Sequence, residues 1–161
     1  MNVRAGALYA GPGQEQLRRM ARDVGLDVEV IPTHSPAEMS QTLKRLIAAG
    51  AKKVGIAGGD GTVERAVQEL AHSGTALGIL PQGTFNNFAT ALHVPHNLPG
   101  ALRMLRDGVV REVDLGKAGS RYFTESAGVG LFADGLALYG AGTNKNVLRG
   151  LYTLARLCLS F

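Results

Sequence analysis

An α/β fold, with an open and mostly parallel sheet carrying helices on both faces, is what this 161-residue sequence predicts. Short apolar runs alternate with longer stretches whose apolar residues recur every three or four positions. The central apolar runs lack polar alternation, as strands covered on both faces do. The 22 glycines fall at the boundaries between the two kinds of segment and show no period of three, which excludes a collagen-like chain. With 45% hydrophobic and 19% charged residues the chain can bury an ordinary core, which excludes disorder.

Taken in order, residues 5–10, 26–31, 53–57 and 76–80 are the predicted strands. Residues 14–24, 36–49 and 62–71 are the crossover helices between them. Their apolar faces are Leu17, Met20, Ala21 and Val24; Met39, Leu43, Leu46 and Ile47; and Val63, Ala66, Val67 and Leu70. Ser35 and Pro36 open the second helix as cap and first-turn proline, and Gly25, Gly50 and Gly74 stop the helices. Beyond Pro81 the rhythm changes. Helical segments are expected at 85–92 and 98–106, strands at 109–115 and 121–126, and apolar helices at 131–139 and 147–159. The last of these has no cap or glycine stop, which predicts either docking on a partner or a coding sequence that continues; a homodimer through residues 151–161 stays open.

The single cysteine, Cys158, allows no internal disulfide, and the opening MNVRAGALYAGPG lacks the apolar core of a secretory signal, so a reducing, cytoplasmic setting is expected. No apolar run reaches the roughly 18 residues of a membrane helix. The formal charge of +4 fits anionic partners such as phosphorylated cofactors or acidic lipid surfaces. Nucleic acid is not expected, because no platform of aromatic and basic residues is visible and Arg18, Arg19 and Arg22 read as a solvated helix face. His34, His72, His93 and His96 have no metal-ligand spacing, so no protein metal site is predicted.

Two loops carry the chemistry. Gly58-Gly59-Asp60-Gly61-Thr62 joins an apolar strand to a helix, where glycines leave main-chain N–H groups open to a large anion and the helix adds the positive end of its dipole. A carboxylate beside phosphate needs a bridging cation or a proton to work on, so Asp60 points to Mg²⁺ or to general-base chemistry on a hydroxyl. The second loop, Leu80-Pro81-Gln82-Gly83-Thr84-Phe85-Asn86-Asn87, follows the next strand. There Gly83 turns the chain, Thr84 caps the helix and offers a hydroxyl, and Asn86 and Asn87 supply amides. Thr33, after the second strand, can reach the same edge. No Gly-Lys-Ser/Thr follows the glycines, so this is not a Walker loop, and their spacing is not the dinucleotide fingerprint.

The pair GGDGT and LPQGTFNNFATAL resembles the catalytic domain of the diacylglycerol kinase and sphingosine kinase superfamily, in particular its bacterial soluble lipid kinases. The likeness continues through Val113 to Gly116 and Phe123 to Gly130. It implies an α/β nucleotide-binding domain over residues 1–113 and the beginning of an incomplete β-rich lipid-binding domain over 114–161. It implies ATP with Mg²⁺, contacts at Thr33, Gly58, Gly59, Gly61, Thr62, Gly83, Thr84 and Asn86, and Asp60 as the catalytic carboxylate. The expected reaction is transfer of the γ-phosphoryl of ATP to a diacylglycerol-like hydroxyl, with transient contact at the inner membrane face. The chain departs from the family at Glu64-Arg65, at Ala10 to Gly13, and at Asn87, where many members carry an aspartate. A non-catalytic nucleotide- or lipid-sensing module is therefore the alternative, with NAD kinase behind it. The second-domain acids of the family fall beyond Phe161.

Overall fold

The computed structural model describes residues 13–128. The chain divides into two compact units, residues 1–125 and 126–161, and every helix and strand among the described residues belongs to the first. The predicted strand at 5–10, the helices at 131–139 and 147–159, Cys158 and the dimerisation segment 151–161 lie outside the described residues.

The elements are α1 (Gln14–Asp23), α2 (Pro36–Ala48), β1 (Lys53–Gly58), α3 (Asp60–Leu70), β2 (Ala76–Pro81), α4 (Asn87–Ala91), α5 (Leu98–Asp107), β3 (Gly116–Ala118) and β4 (Arg121–Phe123). The local signals act as expected in α2. The Ser35 hydroxyl accepts from the Glu38 N–H at 3.1 Å, and the Glu38 carboxylate accepts from the His34 N–H at 2.6 Å, so both ends of the first turn are satisfied.

β1 and β2 are parallel neighbours, in register from Lys53 opposite Ala76 to Gly58 opposite Pro81, so both strands end at one edge of the sheet. The core gathers Leu17 and Ala21 of α1, Met39 and Leu43 of α2, Ile56, Val63, Ala66, Ile79, Leu80, Phe88 and Leu102. Gly55 and Gly78 pair across the strands, and Leu105 of α5 packs into the space they leave; a Cβ on Gly55 would stand 3.0 Å from Leu105 Cδ2, and one on Gly78 would overlap the same side chain. The next residue of α5, Arg106, donates to the Val24 carbonyl and to Asp107, and its hydrogen bond holds the Asp107 carboxyl below the usual carboxylate range.

Four expectations are corrected. Residues 26–31 form no strand ladder; the chain reaches a single bridge at Thr33, and the Val30 carbonyl accepts from Gln14 Nε2 at 3.0 Å and Arg18 Nη2 at 3.2 Å, both side chains of α1. Residues 109–115 are irregular, with Val109 81% exposed, so their apolar character does not report a covered strand. The strand expected at 121–126 closes at Phe123, as one arm of the antiparallel hairpin β3–β4. The helix expected at 85–92 starts only at Asn87, because Asn86 is left-handed at φ 53.

The hairpin rests on α3. Gln68 acts as a substitute strand for β4: its Nε2 donates to the Tyr122 carbonyl at 2.7 Å and its Oε1 accepts from the Tyr122 N–H at 3.0 Å. Arg121 and Glu64 stand 3.9 Å apart alongside. Among the described residues no helix is long and apolar enough to cross a membrane.

Candidate functional site

The two glycine loops emerge side by side where β1 and β2 end. The Gln82 N–H donates to the Gly58 carbonyl at 2.9 Å, continuing the ladder by one residue, and the loops then press together. A Cβ on Gly59 would stand 2.8 Å from the Cα of Gly83. A Cβ on Gly58 would stand 2.7 Å from Cβ of Thr62, whose side chain is buried against that bend. These three glycines make room for the protein's own atoms, which is a stronger demand than flexibility.

Gly61 is different. It is exposed, lies inside α3, and a Cβ there would meet nothing within 4 Å. Packing gives no reason for glycine at this point, and in a helix it costs about 1 kcal/mol relative to alanine. Its bare surface stands on the first turn of α3, where N–H groups point outward without helical partners.

Helix α3 begins at Asp60, two residues before the start expected at Thr62, with Gly59 as its N-cap; the Thr62 and Val63 N–H groups both donate to the Gly59 carbonyl, at 2.9 and 3.1 Å. Asp60 is therefore a first-turn acid, partly buried and favourably placed in the helix dipole. Its Oδ1 accepts from the Phe88 N–H at 3.4 Å, which ties the first loop to the helix that follows the second.

The second loop is closed by Asn86. Its Oδ1 accepts from the Gly83 N–H at 2.7 Å and its Nδ2 donates to the Gly83 carbonyl at 2.9 Å, while its own carbonyl takes the Thr90 N–H and hydroxyl, each at 2.9 Å. The side chain is 7% exposed and its amide is engaged within the loop. The capping role expected of Thr84 falls to Asn86, and Thr84 is left exposed, with a hydroxyl that has no partner among the described residues. Thr33, 3% exposed, and Thr62 line a cavity of about 270 Å³ together with Val30, Ile56 and Leu80.

Two further residues of this region have no role implied by the motifs. The Gln82 side-chain amide is buried, with neither its nitrogen nor its oxygen partnered among the described residues. Glu125 Oε2 accepts from Asn87 Nδ2 at 3.0 Å across 38 positions of sequence. Among the described residues no three His, Cys, Asp or Glu side chains gather to hold a metal ion.

Comparison with known proteins decides the family. Residues 1–118 match the diacylglycerol kinase catalytic domain. The chain belongs to that family. A diacylglycerol kinase of Staphylococcus aureus (strain bovine RF122 / ET3-1) is 31% identical over 140 residues, covering 81% of this chain and 44% of the relative. The diacylglycerol kinase of Staphylococcus carnosus (strain TM300) is 31% identical over the same length, covering 46% of that protein. The crystal structure of a diacylglycerol kinase from Bacillus anthracis str. Sterne superposes with a TM-score of 0.63 at 25% identity, over 76% of this chain and 43% of that one. The chain thus spans less than half the length of the diacylglycerol kinases it matches. The α/β architecture with its parallel strands is the family's, and both glycine loops fall inside the matched region, whereas Glu125 lies beyond residue 118.

Proposed function

We propose that this chain is the nucleotide-binding part of an ATP-dependent lipid kinase that phosphorylates a hydroxyl of diacylglycerol or a related lipid. The observation that carries the reading is the contact between the Gly59 and Gly83 loops at one sheet edge, with the Asp60 carboxylate at the first residue of α3. Two adjacent strand ends converging on a helix N-terminus form the kind of crevice in which parallel α/β sheets bind phosphorylated ligands.

In this reading the main chain of residues 59–61 and of Thr84 receives the phosphates, since the Thr62 and Gly83 N–H groups already donate to the Gly59 carbonyl and to Asn86 Oδ1. Gly61 leaves the approach bare, and Thr84 contributes its exposed hydroxyl. Thr33 and Thr62 stand as contacts by family resemblance; both line the cavity along β1, which none of the loop glycines lines. A bond forms between the lipid hydroxyl oxygen and the γ-phosphorus, the bridging P–O bond to the β-phosphate breaks, ADP departs, and the hydroxyl proton passes to a base. Asp60 is the residue assigned to that proton network or to ordering the phosphates. Mg²⁺ would neutralise the triphosphate; its preference for oxygen donors, with only one or two protein carboxylates, suits the Asp60 carboxylate at the start of α3. The acceptor lipid reaches the site from the cytoplasmic face of a membrane, in transient contact with an anionic surface suited to a chain of charge +4.

A second reading, a nucleotide- or lipid-sensing module without catalysis, is favoured by Asn87 at the position where the family pattern carries an acid. Titration calorimetry with ATP and Mg²⁺, followed by transfer of radiolabelled γ-phosphate to vesicles of defined lipids, separates the two. Binding with transfer supports the kinase, binding without transfer supports the sensor, and the absence of binding rejects both.

A further inference from the structure

Strand β1 has a second edge that β2 does not use. The Lys52 and Gly58 carbonyls accept from the N–H groups of Ala76 and Gln82, so the even-numbered positions face β2, and Lys53, Gly55 and Ala57 turn their main-chain N–H and C=O groups the other way. All three line the cavity of about 270 Å³, whose far wall includes Val28, Ile31 and Thr33. Thr33 is itself in a β-bridge. Both faces of β1 are covered here, since Leu105 of α5 meets Gly55 and Thr62 of α3 meets Gly58, positions of opposite parity along the strand. Gly55 is nonetheless exposed in the middle of β1, and Val28 on the far wall is 37% exposed.

An occupant of this slot has to meet two demands at once. The row of donors and acceptors on β1 calls for hydrogen bonds, which an acyl chain or another apolar ligand does not supply. The helices on both faces call for side chains that are apolar and mostly small. Residues 5–10, Ala-Gly-Ala-Leu-Tyr-Ala, offer main-chain hydrogen bonds, carry no charge and are mostly small. They are also tethered beside the slot. After Gly11-Pro12-Gly13 the chain enters α1 at Gln14, whose side chain donates to the carbonyl of Val30, a lining residue of the same cavity.

We propose that the cavity is the seat of residues 5–10, which enter it parallel to β1, give that strand its second neighbour and join it to the wall at Thr33. The cavity is then a slot for the protein's own chain instead of a lipid pocket, and Gly11-Pro12-Gly13 leaves it at the sheet edge where the Gly58 and Gly83 loops stand. NMR on the full chain tests this. Main-chain NOEs join residues 5–10 to Gly55 and Ala57 on one side and to Ile31 and Thr33 on the other, and the Gly55 and Ala57 amides exchange about a hundredfold more slowly than those of the exposed Val109 and Val110. Ala7→Pro, which removes an N–H from the middle of the segment, lowers the melting temperature by about 8 °C or more, whereas Val3→Pro, outside it, shifts it by less than about 2 °C. NOEs from Gly55 and Ala57 to another part of the chain, fast exchange at those two amides, or an unchanged melting temperature in Ala7→Pro overturns the assignment. NOEs found only between differently labelled copies overturn it as well, because the strand then comes from a second molecule. The NOEs are read on the parent chain, so they decide the question even where Ala7→Pro does not fold.

Discussion

Gly59 and Gly83 approach each other so closely that neither tolerates a side chain. A Cβ on Gly59 would come within 2.8 Å of the Cα of Gly83, and a Cβ on Gly83 within 2.5 Å of the Cα of Gly59. The two loops form one packed unit, so the shape of either depends on the other.

Gly59→Ala accordingly pushes the loops apart. We expect a loss of about 1–3 kcal/mol of stability, the range for overpacking a close contact, read from the midpoint of denaturant unfolding. Unchanged stability would show that the loops can separate freely.

Gly61→Ala sends stability and binding in opposite directions. The new methyl meets nothing, and the helix gains about 1 kcal/mol from the better helix former. The melting temperature rises while ATP affinity falls, because the methyl stands where a phosphate would approach the main chain. A gain in stability with no loss of affinity would remove Gly61 from the contact surface.

Asn86 tests the clasp on the second loop. Asn86→Ala removes both bonds to Gly83 and puts alanine in a left-handed conformation, for an expected loss of about 2–4 kcal/mol. Asn86→Gly relieves the backbone but not the lost bonds, so it should fall between alanine and the parent in the same unfolding experiment.

Asp60→Asn keeps an oxygen to accept the Phe88 N–H and removes the charge. Stability changes by no more than about 1 kcal/mol, the scale of a helix-dipole contribution. In a full-length protein that carries this domain, radiolabelled phosphoryl transfer to diacylglycerol vesicles falls by about a hundredfold or more. Full transfer activity in this variant would take Asp60 out of the mechanism.

Gln68→Leu releases the hairpin without disturbing the core. Amide exchange at Tyr122 accelerates by about tenfold or more, while exchange in β1 and β2 is unchanged. Unaltered protection at Tyr122 would mean that the hairpin is held by other contacts.

Much of the site could be read from residue order. Two apolar runs each followed by a glycine loop, with a helix between them, place both loops at one edge, because strands joined by a crossover run in the same direction and end together. The start of α2 was equally legible, since a serine cap and a first-turn proline act over four residues. Other features were not. Residues 26–31, where Leu26, Val28 and Val30 alternate with Asp27 and Glu29, and residues 109–115, opening on Val109 and Val110, have strand-like patterns, and a pattern does not say whether a neighbouring strand lies within hydrogen-bonding distance. Thr84 and Asn86 are both suitable caps by residue type; Asn86 takes the position because its amide closes a ring with Gly83 while its backbone turns left-handed.

By itself, then, the sequence determined the family, the alternation β1–α3–β2, and the edge of the sheet on which the chemistry-bearing loops stand, since each of these follows from local spacing and chain direction. Only the tertiary structure decided that Gly59 excludes a side chain at Gly83, that the Asn86 amide closes its own loop, and that Glu125 arrives beside Asn87. Contacts of that last kind join positions 38 residues apart, and they exist only once helices, strands and hairpin have packed against a common core.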